Sequence, residues 1–245
     1  MAGFLEDIHG DGSFGSDWQH RDVGNCKQYT TTDCDLITDF IPQNIDKAET
    51  WFVMSEGVFL LSNRNQNGGS NANGHFSLIC GTGMQVEYST DSVNKLYFRS
   101  ANFPVTTKRN IFTIRKREGV GANCVDFFVN GIIIELPYSF FILPTTNKVN
   151  RTVNDPMYIN RYNVNNNPKD GQNTNIAKMS CVNYAQSDLE IVRDAANEKQ
   201  TANNPNQFLL NVDFNKSTGD NLTDISPNNY TITSVGNKNF ANFYS

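Results

Sequence analysis

Asn110–Gly119 (NIFTIRKREG), Cys124–Leu136 (CVDFFVNGIIIEL), Pro156–Tyr162 (PMYINRY) and Ile176–Tyr184 (IAKMSCVNY) are apolar runs set between polar turns. β-Branched and aromatic side chains crowd each of them, which suits a pleated, half-buried strand. The second run is broken by Asn130-Gly131, and these two residue types accept the positive φ that a type I′ turn demands. It predicts a β-hairpin. Ser187-Asp188-Leu189-Glu190 then forms a capping box, in which hydroxyl and carboxylate each satisfy a free amide at a helix start. One short helix is expected over Ser187–Asn197, with Leu189, Ile191, Val192, Ala195 and Ala196 as its apolar face.

Upstream, strand patterns cover Trp51–Met54, Val58–Ser62, His75–Cys80, Met84–Tyr88 and Lys95–Arg99. Asn63–Gly74 (NRNQNGGSNANG) has nothing to bury and reads as a loop, as do Phe141–Asp155 and Asn163–Asn175. Residues 1–35 carry isolated large apolar side chains (Phe4, Leu5, Phe14, Trp18) on a polar chain. They read as an extended arm that docks on its own domain or on a neighbour. Residues 36–245 are then one β domain that includes a C-terminal strand, Phe208–Phe214 (FLLNVDF).

The order of these motifs resembles the laminin-G-like branch of the concanavalin A-like jelly rolls. Members carry a strand ending in a charged turn, as in IRKREG, then a strand-NG-strand hairpin similar to FFVNGIIIEL. A strand like MYINRYN follows, and then a strand running into a short helix, like SCVNYAQSDLEI. The resemblance covers roughly Thr50 to Ala196. It implies an all-β sandwich of two antiparallel sheets with one short helix. FLLNVDF followed by a polar loop resembles the usual beginning of such domains, yet here it comes after the helix. Either the jelly roll is circularly permuted and the strand returns to its own core, or the strand completes a neighbour. The first is favoured, because termini of compact domains lie close together.

Composition narrows the function classes. Net charge −5 and a pI near 5.2 argue against nucleic acid as a partner, since phosphate binding needs a basic surface. The one basic cluster, Lys108, Arg109, Arg115, Lys116 and Arg117, reads as a solvated strand end, with an interface to an acidic neighbour as the alternative. No run approaches 18 apolar residues, so no membrane partner is expected. The N-terminus lacks the basic and apolar regions of a signal peptide. Five scattered cysteines (Cys26, Cys34, Cys80, Cys124, Cys181) read as reduced thiols rather than a disulfide framework. The 35 asparagines serve many polar turns, because Asn tolerates left-handed backbone.

Catalytic signals are weak. Glycosidases of this fold place two or three carboxylates at alternate positions of one strand, and no strand here does so. Glu6, Asp7 and Asp11 lie in the arm, while Glu190, Asp194 and Glu198 read as solvated helix acids. His9, His20 and His75 are scattered without a nucleophile motif. Asp213, Asn215, Ser217 and Asp224 follow an EF-hand-like spacing, but Gly219 falls one place late and a strand precedes them, so a polar turn is the better reading. Tyr158, Tyr162, Asn163, Asn165 and Asn166 are a candidate sugar platform. No catalytic, cofactor or metal residue is assigned.

A jelly roll with a docking arm and no catalytic constellation is similar to capsid-decoration or head-fibre proteins of tailed phages, the crAss-like phages among them. That resemblance implies a non-enzymatic virion structural protein, made in the host cytoplasm. It would form a homo-oligomer, bind other virion proteins, and reach a host glycan through its outer loops. The alternative is a carbohydrate-binding, lectin-like module.

Overall fold

The computed structural model describes residues 27–29, 34–56, 59–63, 75–81, 83–89, 95–100, 110–121, 123–134, 138–142, 157–159, 162–164, 167–169, 174–214, 222–236 and 241–242. Every strand pairing among them is antiparallel.

Eight strands form the first sheet. Its spatial order is β10 (Ile132–Ile134), β9 (Val125–Val129), β8 (Asn110–Lys116), β3 (Glu49–Glu56), β15 (Thr174–Val182), β1 (Lys27–Tyr29) and β19 (Ala241–Asn242). β16 (Phe208–Asp213) pairs with β15 as well. The second sheet has nine strands, in the order β11 (Tyr138–Ile142), β7 (Lys95–Arg99), β6 (Gln85–Ser89), β5 (His75–Cys80), β4 (Phe59–Ser62), β12 (Met157–Ile159), β2 (Cys34–Thr38), β18 (Thr231–Gly236) and β17 (Leu222–Thr223). β13 (Tyr162–Val164) and β14 (Asn167–Lys169) make a separate hairpin.

Strand alternation builds the core. Trp51, Val53, Phe112 and Ile114 point in from the first sheet, and Phe76, Leu78, Val86, Tyr88, Leu96 and Phe98 from the second. An aromatic chain threads them: Tyr230, Phe40, Trp51, Phe76 and Tyr88 sit 5.3 to 5.5 Å apart, ring to ring. Offset and edge-on contacts of this kind add to the burial itself.

The other face of the first sheet is roofed. The capping box at Ser187 and Glu190 starts helix α1 (Asp188–Ala196). Ala195 packs with Phe52, Met54, Ile111 and Ala177 into a second, smaller cluster. Leu189, expected on the apolar face, is 78% exposed, whereas Ile191 and Ala195 are buried.

Other expectations change. β1 and β2 fall wholly or partly within residues 1–35, so each sheet draws a strand from a segment read as arm; residues 1–26 lie outside the described residues. β11 and the β13–β14 hairpin lie in segments read partly as loop, because three-to-five-residue strands show too little alternation to stand out. Two members of the basic cluster are not solvated: Arg115 and Lys116 are buried, because β8 has the sheet core on one face and the roof on the other, whereas Arg117 is exposed. Lys108 and Arg109 lie outside the described residues.

Candidate functional site

Three adjacent strands share one pattern. In HFSLIC, QVEYS and KLYFR, the apolar residues enter the core and turn Ser77, Glu87 and Tyr97 to the outer face of the nine-stranded sheet. Register then aligns them. Tyr158 lies opposite Ser62, Ser62 opposite Ser77, Ser77 opposite Glu87, and Glu87 opposite Tyr97. The result is a hydrogen-bonding row across five strands, flanked by Gln85 opposite Arg99. Opposite residues on adjacent strands sit about 5 Å apart, so the row is continuous.

Exposure on this face rises toward β7. Ser62, Ser77 and Glu87 are at most 2% exposed, Gln85 and Tyr97 are half-buried, and Arg99 is exposed. The Tyr97 hydroxyl donates to Gln85 Oε1 at 2.8 Å. Ser62 donates to the Phe76 carbonyl at 3.3 Å. The Ser77 hydroxyl has no hydrogen-bond partner among the described residues. An orphaned buried hydroxyl costs about 1–3 kcal/mol, which a polar guest can relieve. Glu87 is the buried carboxylate of this row.

A second polar group lies inside the sandwich. Glu49 and Lys116 are directly opposite on β3 and β8, both 1% exposed. Glu49 Oε1 accepts from the Trp51 indole at 3.0 Å and from the Tyr88 hydroxyl. The Lys116 ammonium donates to the carbonyls of Lys47, Arg117 and Gly119 at 2.7 to 3.2 Å. Burial pulls its pKa down and the Glu49 charge pushes back. The group ties loops to the core.

Other sequence candidates fall on several elements. Tyr158 lies on β12, whereas Tyr162 and Asn163 lie on the β13–β14 hairpin; Asn165 and Asn166 lie outside the described residues. Tyr158 stands in the polar row of the outer face, and the rest of the sugar platform read from the sequence lies outside the described side chains. Asp224 is saturated, accepting from Asn211 N, Ser226 N, the Ser226 hydroxyl and Tyr230 N at 2.7 to 2.9 Å. It is a turn anchor, as the spacing argument favours. Asn215 and Ser217 lie outside the described residues, as do His9 and His20; His75 opens β5. No group of three or more His, Cys, Asp or Glu among the described residues is placed to hold a metal. Asp194 and Glu198, expected to be solvated, are 1% and 3% exposed. Asp194 takes hydrogen bonds from the Gln186 amide and from Thr201.

The polar row escaped notice in the sequence because it depends on register. The signal was present: three successive hairpin-spaced strands place Ser77, Glu87 and Tyr97 at alternating non-core positions.

No protein-family model matches the sequence, and no curated protein does. Solved structures do. A Bacteroides ovatus protein proposed to bind carbohydrate superposes with a TM-score of 0.53 at 12% identity, over 87% of this chain and 60% of its own. The chain therefore spans about three-fifths of that protein. The fold is a concanavalin A-like jelly roll. The heptameric SAP-like pentraxin of Limulus polyphemus matches over 87% of this chain and 96% of its own, with a TM-score of 0.45 at 6% identity. Domains LG4-5 of the mouse laminin α1 chain match over 66% and 43%, with a TM-score of 0.40 at 9% identity.

Proposed function

We propose that this chain is a carbohydrate-binding module that seats a glycan on the outer face of the nine-stranded sheet. The observation that carries the reading is the five-strand polar row, buried at Ser77 and Glu87 and more exposed at Gln85, Tyr97 and Arg99. A sugar presents hydroxyls that both donate and accept, together with apolar C–H faces. Glu87 accepts, Gln85 and Ser77 do both, and the Tyr97 ring offers an apolar surface with a polar tip. A fold shared with a Bacteroides ovatus protein proposed to bind carbohydrate supports the same reading. The module binds and carries out no reaction.

A glycan array on the purified chain, followed by calorimetry on the best hit, tests this. Gln85→Ala and Tyr97→Ala should each weaken binding by about 3- to 10-fold or more, the worth of one or two neutral hydrogen bonds, without shifting the melting transition. Absence of any glycan ligand, or unchanged affinity in both variants, rules the site out.

The virion reading stands second. One observation favours it: Ile132 and Ile133 are 49% and 57% exposed on an end strand, a surface suited to assembly with other proteins. Nothing in the comparisons points to a virus particle. Sugar binding by the isolated chain favours the module, whereas attachment to a capsid or fibre without sugar binding favours the virion part.

A further inference from the structure

We propose that the Lys116 ammonium fills a monovalent-cation seat from within. The carbonyls of Lys47, Arg117 and Gly119 form the seat, and a free potassium or alkylammonium ion occupies it when the lysine side chain is shortened.

Two loops build the seat. Lys47 lies in the turn just before β3, while Arg117 and Gly119 follow β8. Their carbonyls are 2.7, 3.2 and 3.2 Å from Lys116 Nζ, one for each N–H of the ammonium. Gly119 holds φ at 96°, a conformation that other residues rarely adopt, and its N–H donates to the Asp46 carbonyl at 2.8 Å. The loops are therefore fastened to each other beside the ammonium as well as through it.

The far side of the seat is electron-rich. The Tyr88 ring centre is 5.8 Å from Nζ, within cation–π range. Tyr88 also donates its hydroxyl to Glu49, which stands directly opposite Lys116 in register. Glu49 is 1% exposed, and its Oε2 has no hydrogen-bond partner among the described residues. A buried carboxylate with one oxygen unbonded calls for a positive charge nearby. Burial works against the lysine's charge, and Glu49 is the strongest of the neighbours that favour it.

The oxygens select the occupant. Backbone carbonyls that replace a hydration shell suit potassium. Separations of 2.7 to 3.2 Å exceed the roughly 2.3–2.6 Å of calcium and 2.0–2.1 Å of magnesium, so a divalent ion would need the loops to close in. The single Glu49 carboxylate balances one unit of charge. Lys47, Arg117 and Glu118, which carry or adjoin the carbonyls, are exposed, so the seat lies close to solvent. In the native chain the tethered ammonium takes the place of a bound ion, and the junction of the loops does not depend on ion concentration. This inference stands apart from the glycan reading.

Lys116→Ala leaves a gap with the shape of propylammonium above an empty seat. The full chain is melted in potassium, ammonium, propylammonium, lithium and choline chlorides at one ionic strength, and each variant is read against wild type in the same salt. Lys116→Ala should melt higher in the first three salts than in choline, by roughly 3–6 °C for each tenfold of ion above its Kd. Lithium is too small to span the carbonyls and should track choline, which is too bulky to enter. Adding Glu49→Gln should abolish the selectivity, because the counter-charge is gone. Equal shifts in every salt overturn the proposal, and so does selectivity that survives Glu49→Gln. If Lys116→Ala does not fold in choline, refolding yield across the same salts is read instead. Recovery with potassium, ammonium or propylammonium but not choline supports the seat, and no recovery in any salt refutes it. Heteronuclear NMR of the lysine side-chain amines reads the native occupant. Lys116 Nζ should be an ammonium at neutral pH whose protons exchange slowly with water, and a neutral amine there refutes the proposal whatever the variants do.

Discussion

A lysine with one hundredth of its surface exposed must place three N–H donors inside the protein, and Lys116 does so on three backbone carbonyls. Its charge also faces Glu49 across the β3–β8 pair. Lys116→Met should therefore cost about 3–5 kcal/mol, the usual result of stranding one member of a buried ionic pair. The double variant with Glu49→Gln should lose less than the two single losses added, because the stranded carboxylate is gone. Chemical denaturation of the four proteins gives the cycle, and strict additivity would refute the coupling. The buried thiols supply a pH prediction. Burial raises the pKa of Cys80 and Cys181, and of Cys124 where the Lys116 charge partly offsets it. A thiol raised in the folded state contributes its stability below the unfolded pKa of about 8.5 and loses it as pH climbs toward the folded value. Stability should therefore fall from about pH 8.5 upward, and Cys80→Ala should flatten that slope. Relief of the Lys116 desolvation acts in the opposite direction, so the comparison between the two proteins is the informative one. If the slopes are equal, Cys80 does not resist ionisation. The sequence revealed reduced core thiols at Cys80, Cys124 and Cys181, since each sits among apolar neighbours. It hid Lys116, because a charge at a strand end reads as solvated until the turns that fold over it are known.

At the scale of elements, one arginine joins helix to sheet. The Arg115 guanidinium bonds Asp126 on β9 and Asp188 in the first turn of α1, both at 2.6 Å, and donates to the Gln186 carbonyl at 3.0 Å. It also lies 5.0 Å from the centre of the Phe128 ring. Arg117 shares Asp126 from a more exposed position, where a pair is worth little. The helix cap is local by comparison: Ser187 and Glu190 satisfy each other's amides, and such a cap is worth about 1 kcal/mol. Arg115→Met should therefore release α1 more than Ser187→Ala does. Hydrogen exchange across residues 188–196 should rise strongly in the first variant and modestly in the second, while β3 and β15 stay protected. Equal exchange in both would make the cap, not the arginine, the anchor. The capping box could be read directly, because all its partners lie within four residues. The Arg115 bridge could not, since alternation places it beside Ile111 and Thr113 without saying that this face is roofed. The same limit hid the polar row: Ser77, Glu87 and Tyr97 are unremarkable singly and form a surface only when two hairpins set their register.

The whole molecule depends on where the chain ends up. The resemblance of the motif order to a known jelly roll implied two antiparallel sheets, while local patterns supplied the Asn-Gly hairpin and the capped helix. It favoured return of FLLNVDF to its own core over donation to a neighbour. The structure pairs β16 with β15 in the same chain, from Lys178 opposite Asp213 to Val182 opposite Phe208, and buries Leu210, Val212 and Phe214 in the main core. Val212 also bridges to Asp224 just beyond β17, linking the two sheets at that edge. Leu209 packs only partly against the core, since it alternates to the other side of the strand. Phe214→Ala should then behave as a large-to-small change in a dense interior, costing about 3–5 kcal/mol from lost burial and the cavity left behind. Much of an ordinary domain's stability is of that size. A strand donated to a neighbour would show the loss differently, as weaker association with a concentration-dependent midpoint. The quantity to follow is the difference between mutant and wild-type midpoints. That difference should stay constant across a hundredfold range of protein. If it instead shrinks as protein is added, β16 completes another copy, and the core that surrounds Trp51 and Phe76 is shared between chains.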